Sequence, residues 1–216
     1  MLPAETAMLN LDSQFNAFVT LLVTISPHSL APLFLALTAG MNRPERNQVA
    51  IRSSIIGFLV LSVFALFGIS ILALFGITIP AFRVAGGLLL FYIAFEMVFE
   101  KRQQRREQSA QTAITKDMIR NISAFPLAIP LIAGPGAISA TILVADKLPS
   151  LADRAILLPA IAASIAITWA TFVIAERLDA LLGETGRSIL TRLLGMLLAA
   201  LSVQFVADGV KAMAAT

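Results

Sequence analysis

The chain has 216 residues, 58% of them hydrophobic and only 13% charged, with a mean hydropathy of +0.86. A soluble domain carries about 25% charged residues, so this composition cannot clothe a water-soluble globule, and its surplus apolar surface must face lipid. The pI near 9.8 does not denote nucleic-acid binding, because the basic residues cluster between long apolar runs, where membrane topology requires them. The lack of cysteine excludes disulfides and thiolate metal sites.

The first 42 residues hold only Glu5 and Asp12 as charges. With no basic n-region, the first apolar run is expected to remain as a span rather than be cleaved as a signal peptide. A span needs about 20 apolar residues, and six such runs follow in order: Phe15 to Ala39, Ser53 to Phe75, Pro80 to Phe99, Ile122 to Ala145, Ala155 to Ala175 and Leu193 to Val210. Their length and lack of alternation predict helices, because lipid-exposed backbone must satisfy its own hydrogen bonds. The loops after the first, third and fifth runs hold 12 of the 16 basic residues, and Arg83, Lys147, Arg154 and Lys211 are the other 4. The positive-inside rule then places both termini on the non-cytoplasmic side. Residues 101–120 form the longest polar stretch and read as a cytoplasmic linker between units at 1–100 and 121–216.

The two units share rare residues at a near-constant offset. Arg83 and Gly86 match Arg192 and Gly195, and Pro27 matches Pro135, at offsets of 109 and 108. Coincidence among apolar helices is the alternative reading. A duplicated half with three spans, an odd number, re-enters the membrane from the opposite face. The expected fold is therefore all-α, with six transmembrane helices as two inverted three-helix repeats.

Proline and glycine punctuate the first and fourth runs at corresponding places, Ser26-Pro27-His28-Ser29-Leu30-Ala31-Pro32 and Pro126 to Gly136, the latter with Pro130, Gly134 and Pro135. Both helices are expected to break there, exposing backbone groups to a polar solute near the bilayer midplane; a packed kink is the simpler alternative. Ser26, Ser29, Ser139 and Thr141 lie at or beside the breaks, although hydroxyls in membrane helices often bond only their own backbone. His28, the single histidine, has the titration range of a proton carrier or a structural hydrogen-bonding role. Arg83 and Arg192 open the third and sixth runs, where interfacial snorkelling competes with solute contact or gating. Glu96 and Asp208 could assist proton coupling, with placement at the membrane boundary as the alternative. Gly86, Gly87 and Gly195 read as close helix contacts. No phosphate loop or paired metal-ligand spacing is present, so neither an enzyme nor a cofactor is expected.

These motifs in combination closely resemble the MarC family of bacterial inner-membrane proteins, UPF0056: Pro126 to Gly136, Phe82 to Leu90, Thr191 to Gly195, Val203-Gln-Phe, Asp208-Gly and Pro32 to Thr38. The resemblance covers nearly the whole chain. One departure stands at the first break, where the family's Asn-Pro-x-Gly-Asn-like chemistry is replaced by Ser26 to Pro32, which puts solute preference in doubt. The resemblance implies a likeness to small transporters of the lysine-exporter type and a bacterial inner-membrane location. The expected function is a secondary transporter of a small neutral amino acid or similar solute, with possible proton coupling and homo-oligomerisation and no nucleic-acid partner. A non-transporting scaffold for partner proteins is the competing class; it predicts tolerance of substitution at Pro27, Gly134 and Pro135. An intramembrane redox carrier would need the cysteines this chain lacks.

Overall fold

The structure, a computed structural model, describes residues 3–38, 41–101, 122–148 and 150–215, and every regular element among them is helical. In chain order these are α1 (Pro3–Ile25), α2 (Pro27–Leu37), α3 (Arg43–Leu74), α4 (Ile79–Val98), a π-helical segment (Ser123–Ile132), α5 (Pro135–Ala145), α6 (Leu151–Ala155), α7 (Leu158–Val173) and α8 (Ala175–Ala214). The expected linker at 101–120 lies outside the described residues apart from Lys101.

Local sequence sets the helix starts. Proline occupies the first turn of α2, α3, α4, α5 and α7, where its missing N–H costs nothing. Asn42 and Glu45 close a reciprocal capping box on α3, and this carries the helix ten residues further into the polar loop than the apolar run suggests. Within α8, Gly183 leaves helical geometry (φ 58°, ψ −176°) and separates a short polar portion from the membrane-length portion Thr185–Ala214.

Among the described residues, four helical stretches are long and apolar enough to cross a bilayer: Arg43–Leu74, Ile79–Val98, Leu151–Val173 and Thr185–Ala214. A fifth results if Gln14–Ile25 and Pro27–Leu37, bent by 42°, count as one span. The region expected to form the fourth span is not a continuous α-helix, and divides into the π-helical segment and the 11-residue α5.

The faces are sorted by size rather than by polarity. On α3 the buried face carries Ser53, Gly57, Leu61, Ala65 and Gly68, while Ile55, Leu59, Val63 and Phe67 are exposed at four-residue spacing. Small residues let backbones approach where no hydrophobic force between helices exists, and large apolar ones meet lipid. A Cβ on Gly57 would lie 2.7 Å from Ile132 Cγ2, and one on Gly68 would lie 2.6 Å from Ile142 Cγ1. The π-helical segment and α5 thus sit directly on the small face of α3.

The pair α4 and α8 makes the most extensive contact. A Cβ on Gly87 would approach the Ser202 carbonyl to 3.0 Å, one on Gly195 the Ala94 carbonyl to 3.2 Å, and one on Gly209 the Pro80 carbonyl to 3.0 Å. Positions rise along α4 as they fall along α8, so the two helices are antiparallel. Gly87 and Gly195 therefore have the close-packing role expected of them. Gly86 has the same role against α5, where a Cβ would lie 3.1 Å from Leu143 Cδ1.

Candidate functional site at two helix breaks

The first break lies at Ser26, which takes the left-handed conformation (φ 53°, ψ 66°) between α1 and α2. Pro27 has no N–H to offer the Val23 carbonyl four residues back. The Ser26 hydroxyl fills that vacancy, donating to Val23 O at 2.6 Å. The Ser26 donor is thus committed to its own turn, where it helps to hold the break, as hydroxyls in membrane helices often do.

The second break follows Ile132. Pro130 cannot donate to the helix, and Pro126 within the same segment shares that defect. The chain answers with i→i−5 bonds, Leu127 N to Ile122 O at 3.3 Å and Ala133 N to Ala128 O at 2.8 Å, a geometry that recurs where helices carry function. Gly134 then turns the chain into α5. A side chain there would collide with the Pro130 carbonyl oxygen, a backbone atom that cannot move aside cheaply.

The two breaks meet. A Cβ on Gly136 would press on Ile93 Cδ1 and lie 3.3 Å from Thr24 Cγ2, so the start of α5 abuts the end of α1. Of the residues expected to line a shared site, Gly134, Gly136 and Ser139 are buried in this region, Pro27 is buried in α2, Pro32 is half-buried, and Pro130 and Pro135 are exposed. Thr141, like Ser26, bonds its own backbone, donating to Ala137 O at 2.7 Å.

His28 and Ser29 point elsewhere. Both reach Thr191 of α8, His28 Nε2 at 3.0 Å from Thr191 Oγ1 and Ser29 Oγ at 3.1 Å from the same oxygen. The hydroxyl of Thr191 can donate to one neighbour while accepting from the other, so the three side chains form a continuous polar relay. His28 and Ser29 are 8% and 6% exposed. Below them on α2, Phe34 stacks on Phe172 of α7 with centroids 4.6 Å apart and planes within 8°.

The charged residues are placed differently from expectation. Arg83 is not a free snorkelling residue: its Nε and Nη2 contact Asp146 Oδ2 at 2.6 and 2.5 Å, and the Asp146 side chain is 9% exposed. Arg192 pairs with Glu100 at 3.1 Å on a more open surface. Glu96 is 4% exposed, enclosed by neighbouring helices in the last turn of α4. Asp208 accepts from Gln204 at 2.8 Å.

Glu100 accepts a hydrogen bond from Ser188. That bond first, and Arg192 second, hold its carboxyl below the ordinary carboxylate range. With the folded pKa depressed, the stabilisation is present above the unfolded value and is lost as pH falls through the folded one. Ser188→Ala is expected to raise the Glu100 pKa towards its ordinary value, read by a carboxyl carbon NMR titration, and an unchanged titration would remove Ser188 as the cause.

Sequence reasoning missed Thr191, Thr24 and Asp146. Thr191 adjoins Arg192 in the repeated window, and Asp146 lies 108 residues beyond Thr38, which ends α2. The repeated window thus carried a signal for Thr191, whereas no sequence signal marks Asp146 as the partner of Arg83.

Membrane-length apolar helices, inward small residues and buried breaks define a polytopic integral membrane protein. More narrowly, the chain belongs to the MarC family: residues 11–214 match the family described as MarC family integral membrane protein. It is 34% identical over 198 residues to a UPF0056 membrane protein of Aquifex aeolicus, covering 91% of each chain. It is 35% identical over 195 residues to UPF0056 membrane protein MJ1677 of Methanocaldococcus jannaschii, covering 90% of this chain and 94% of that one. Identity to UPF0056 membrane protein YhcE of Escherichia coli is 33% over 200 residues, with 91% of each chain covered. No solved structure matches the chain.

Proposed function

We propose that the protein is a secondary transporter that moves a small neutral solute, with amino acids as the first class to test, across a bacterial inner membrane. The observation that carries this reading is the abutment of two proline-broken helices at Thr24 and Gly136, the arrangement by which transporters bring irregular backbone to a protein-lined site.

An inverted six-helix plan underlies the proposal, and the packing supports it. The antiparallel course of α4 and α8 is what inversion requires of the third and sixth helices. The second and fifth behave alike: Arg46 of α3 pairs with Glu176 just beyond α7, Gly57 faces Ile165, and Arg154 before α7 donates to Leu66 O of α3 at 3.3 Å. Contacts also come in exchanged pairs. As α3 packs on the π-helical segment and α5, so α7 packs on α1 and α2; as α4 packs on α5, so α8 packs on α2.

In this scheme Gly134 and Gly136 keep the backbone of the second break accessible, and Ser29 and Thr191 supply hydroxyls. His28 is the coupling residue, its proton relayed through Thr191. Arg83 and Arg192 hold the gates at opposite ends through their acidic partners, and Glu96 is the buried carboxyl assigned to coupling or gating.

The test is uptake into proteoliposomes of a panel of labelled neutral amino acids under an imposed pH gradient. Gradient-dependent flux of at least one solute is expected. Thr191→Val removes two hydrogen bonds worth about 1 kcal/mol each, and is expected to lower that flux by about tenfold or more. Absence of flux for every solute from correctly folded protein would overturn the proposal.

A further inference from the structure

A cavity of about 400 Å³ opens where the C-terminal end of α2, the N-terminal end of α3 and the C-terminal end of α7 converge. Three arginines line it, Arg43, Arg46 and Arg177, and one carboxylate, Glu176, together with Asn47 and the stacked rings of Phe34 and Phe172. Like charges gathered around one hollow repel each other, so their convergence asks for a compensating anion.

The protein's own acids supply little of it. Glu176 is taken by Arg46, with Nη1 to Oε1 at 2.5 Å, and Arg46 Nε also donates to Thr38 O at 3.3 Å. Glu45, the nearest acid on α3, is engaged in the cap, where its Oε2 accepts from Asn42 N at 2.9 Å. Arg43 and Arg177 form no ion pair with a carboxylate among the described residues, and both are exposed towards the opening.

We propose that this cavity is a binding site for a phosphate group, held by Arg43 and Arg177 with Asn47 as a neutral donor and Arg46 at its edge. Guanidinium forks match the oxygens of phosphate, and a volume of this size fits a small headgroup or a free anion. The site lies at the end of the helices where basic residues gather, which is where a bilayer presents phosphodiesters. An anionic phospholipid and a soluble phosphate offer the same chemistry. The inference goes beyond the transport reading and stands or falls separately from it, because binding is measured without flux.

The full chain is placed in nanodiscs of phosphatidylcholine alone or mixed with phosphatidylglycerol, and in neutral detergent with sodium phosphate or sodium chloride at matched ionic strength. Thermal unfolding is then followed. Occupancy at ten times Kd is expected to raise Tm by about 3–6 °C. A rise with phosphatidylglycerol only identifies the lipid as the source, and a rise with inorganic phosphate over chloride identifies the soluble anion. Either rise is expected to vanish in R43Q/R177Q and to persist in R52Q, an exposed arginine of α3 outside the cavity. If R43Q/R177Q does not fold, R43K/R177K keeps the charge without the fork and is expected to lose at least about half of the rise. No rise with either probe overturns the site. A rise that survives the cavity substitutions, or disappears equally in R52Q, overturns it too.

Discussion

Gly134→Ala is expected to cost about 3 kcal/mol or more of stability, the largest penalty among the described glycines, measured by reversible unfolding in mixed micelles. The residue has φ −82° and ψ 172°, which alanine adopts without strain. The penalty comes instead from the Pro130 carbonyl oxygen, which occupies the space a Cβ needs. Gly136→Ala offers the informative contrast. Its obstacle is Ile93 Cδ1, the end of a flexible side chain, so Ile93→Ala is expected to recover most of the loss at 136 and none at 134. Equal rescue at both positions would refute the backbone clash.

The second large effect falls on Arg83. Arg83→Gln leaves the Asp146 carboxylate almost fully enclosed with its cation gone, and a loss of about 3 kcal/mol is expected, the low end for a broken buried pair because Arg83 itself is 28% exposed. Asp146→Asn is expected to cost a similar amount. The double variant should be more stable than the sum of the single losses predicts, since neither partner is then left alone. Arg83→Lys should restore only part of the stability, because Asp146 Oδ2 receives two guanidinium nitrogens and an ammonium cannot reproduce that fork. Strict additivity in this cycle would show that the two side chains do not act as a unit.

The breaks were legible because proline and glycine impose backbone geometry whatever surrounds them. Pro27 and Gly134 mark the two discontinuities to within a residue or two. Span lengths were less legible. Hydropathy reports where lipid begins, whereas the capping box at Asn42 decides where α3 begins, and the non-helical Gly183 decides where the membrane-length portion of α8 begins. The π-helical geometry was hidden because Pro126 and Pro130 announce lost hydrogen bonds without saying which carbonyls replace them.

Partners across the fold were the least visible. Thr191 lies 163 residues from His28 and Asp146 lies 63 from Arg83; no local pattern encodes such pairings, although the repeat offset narrows the search. Glu96 shows the same limit. Its place near the end of an apolar run was readable, whereas its position on the inner face of α4, beside Ile93, Ala94 and Met97, which buries it, was not.

The placement of bulk on α3 has a practical consequence for handling the molecule. Ile55, Leu59, Val63 and Phe67 each turn about half of their surface outward, and the close fit of this helix to the rest is carried by what is missing at Gly57 and Gly68. Repainting only that outer column with glutamate and lysine would leave the close contacts at Gly57 and Gly68 untouched. Extended to the outward residues of the other long helices, the same recolouring outlines a detergent-free analogue whose interior is that of the native chain.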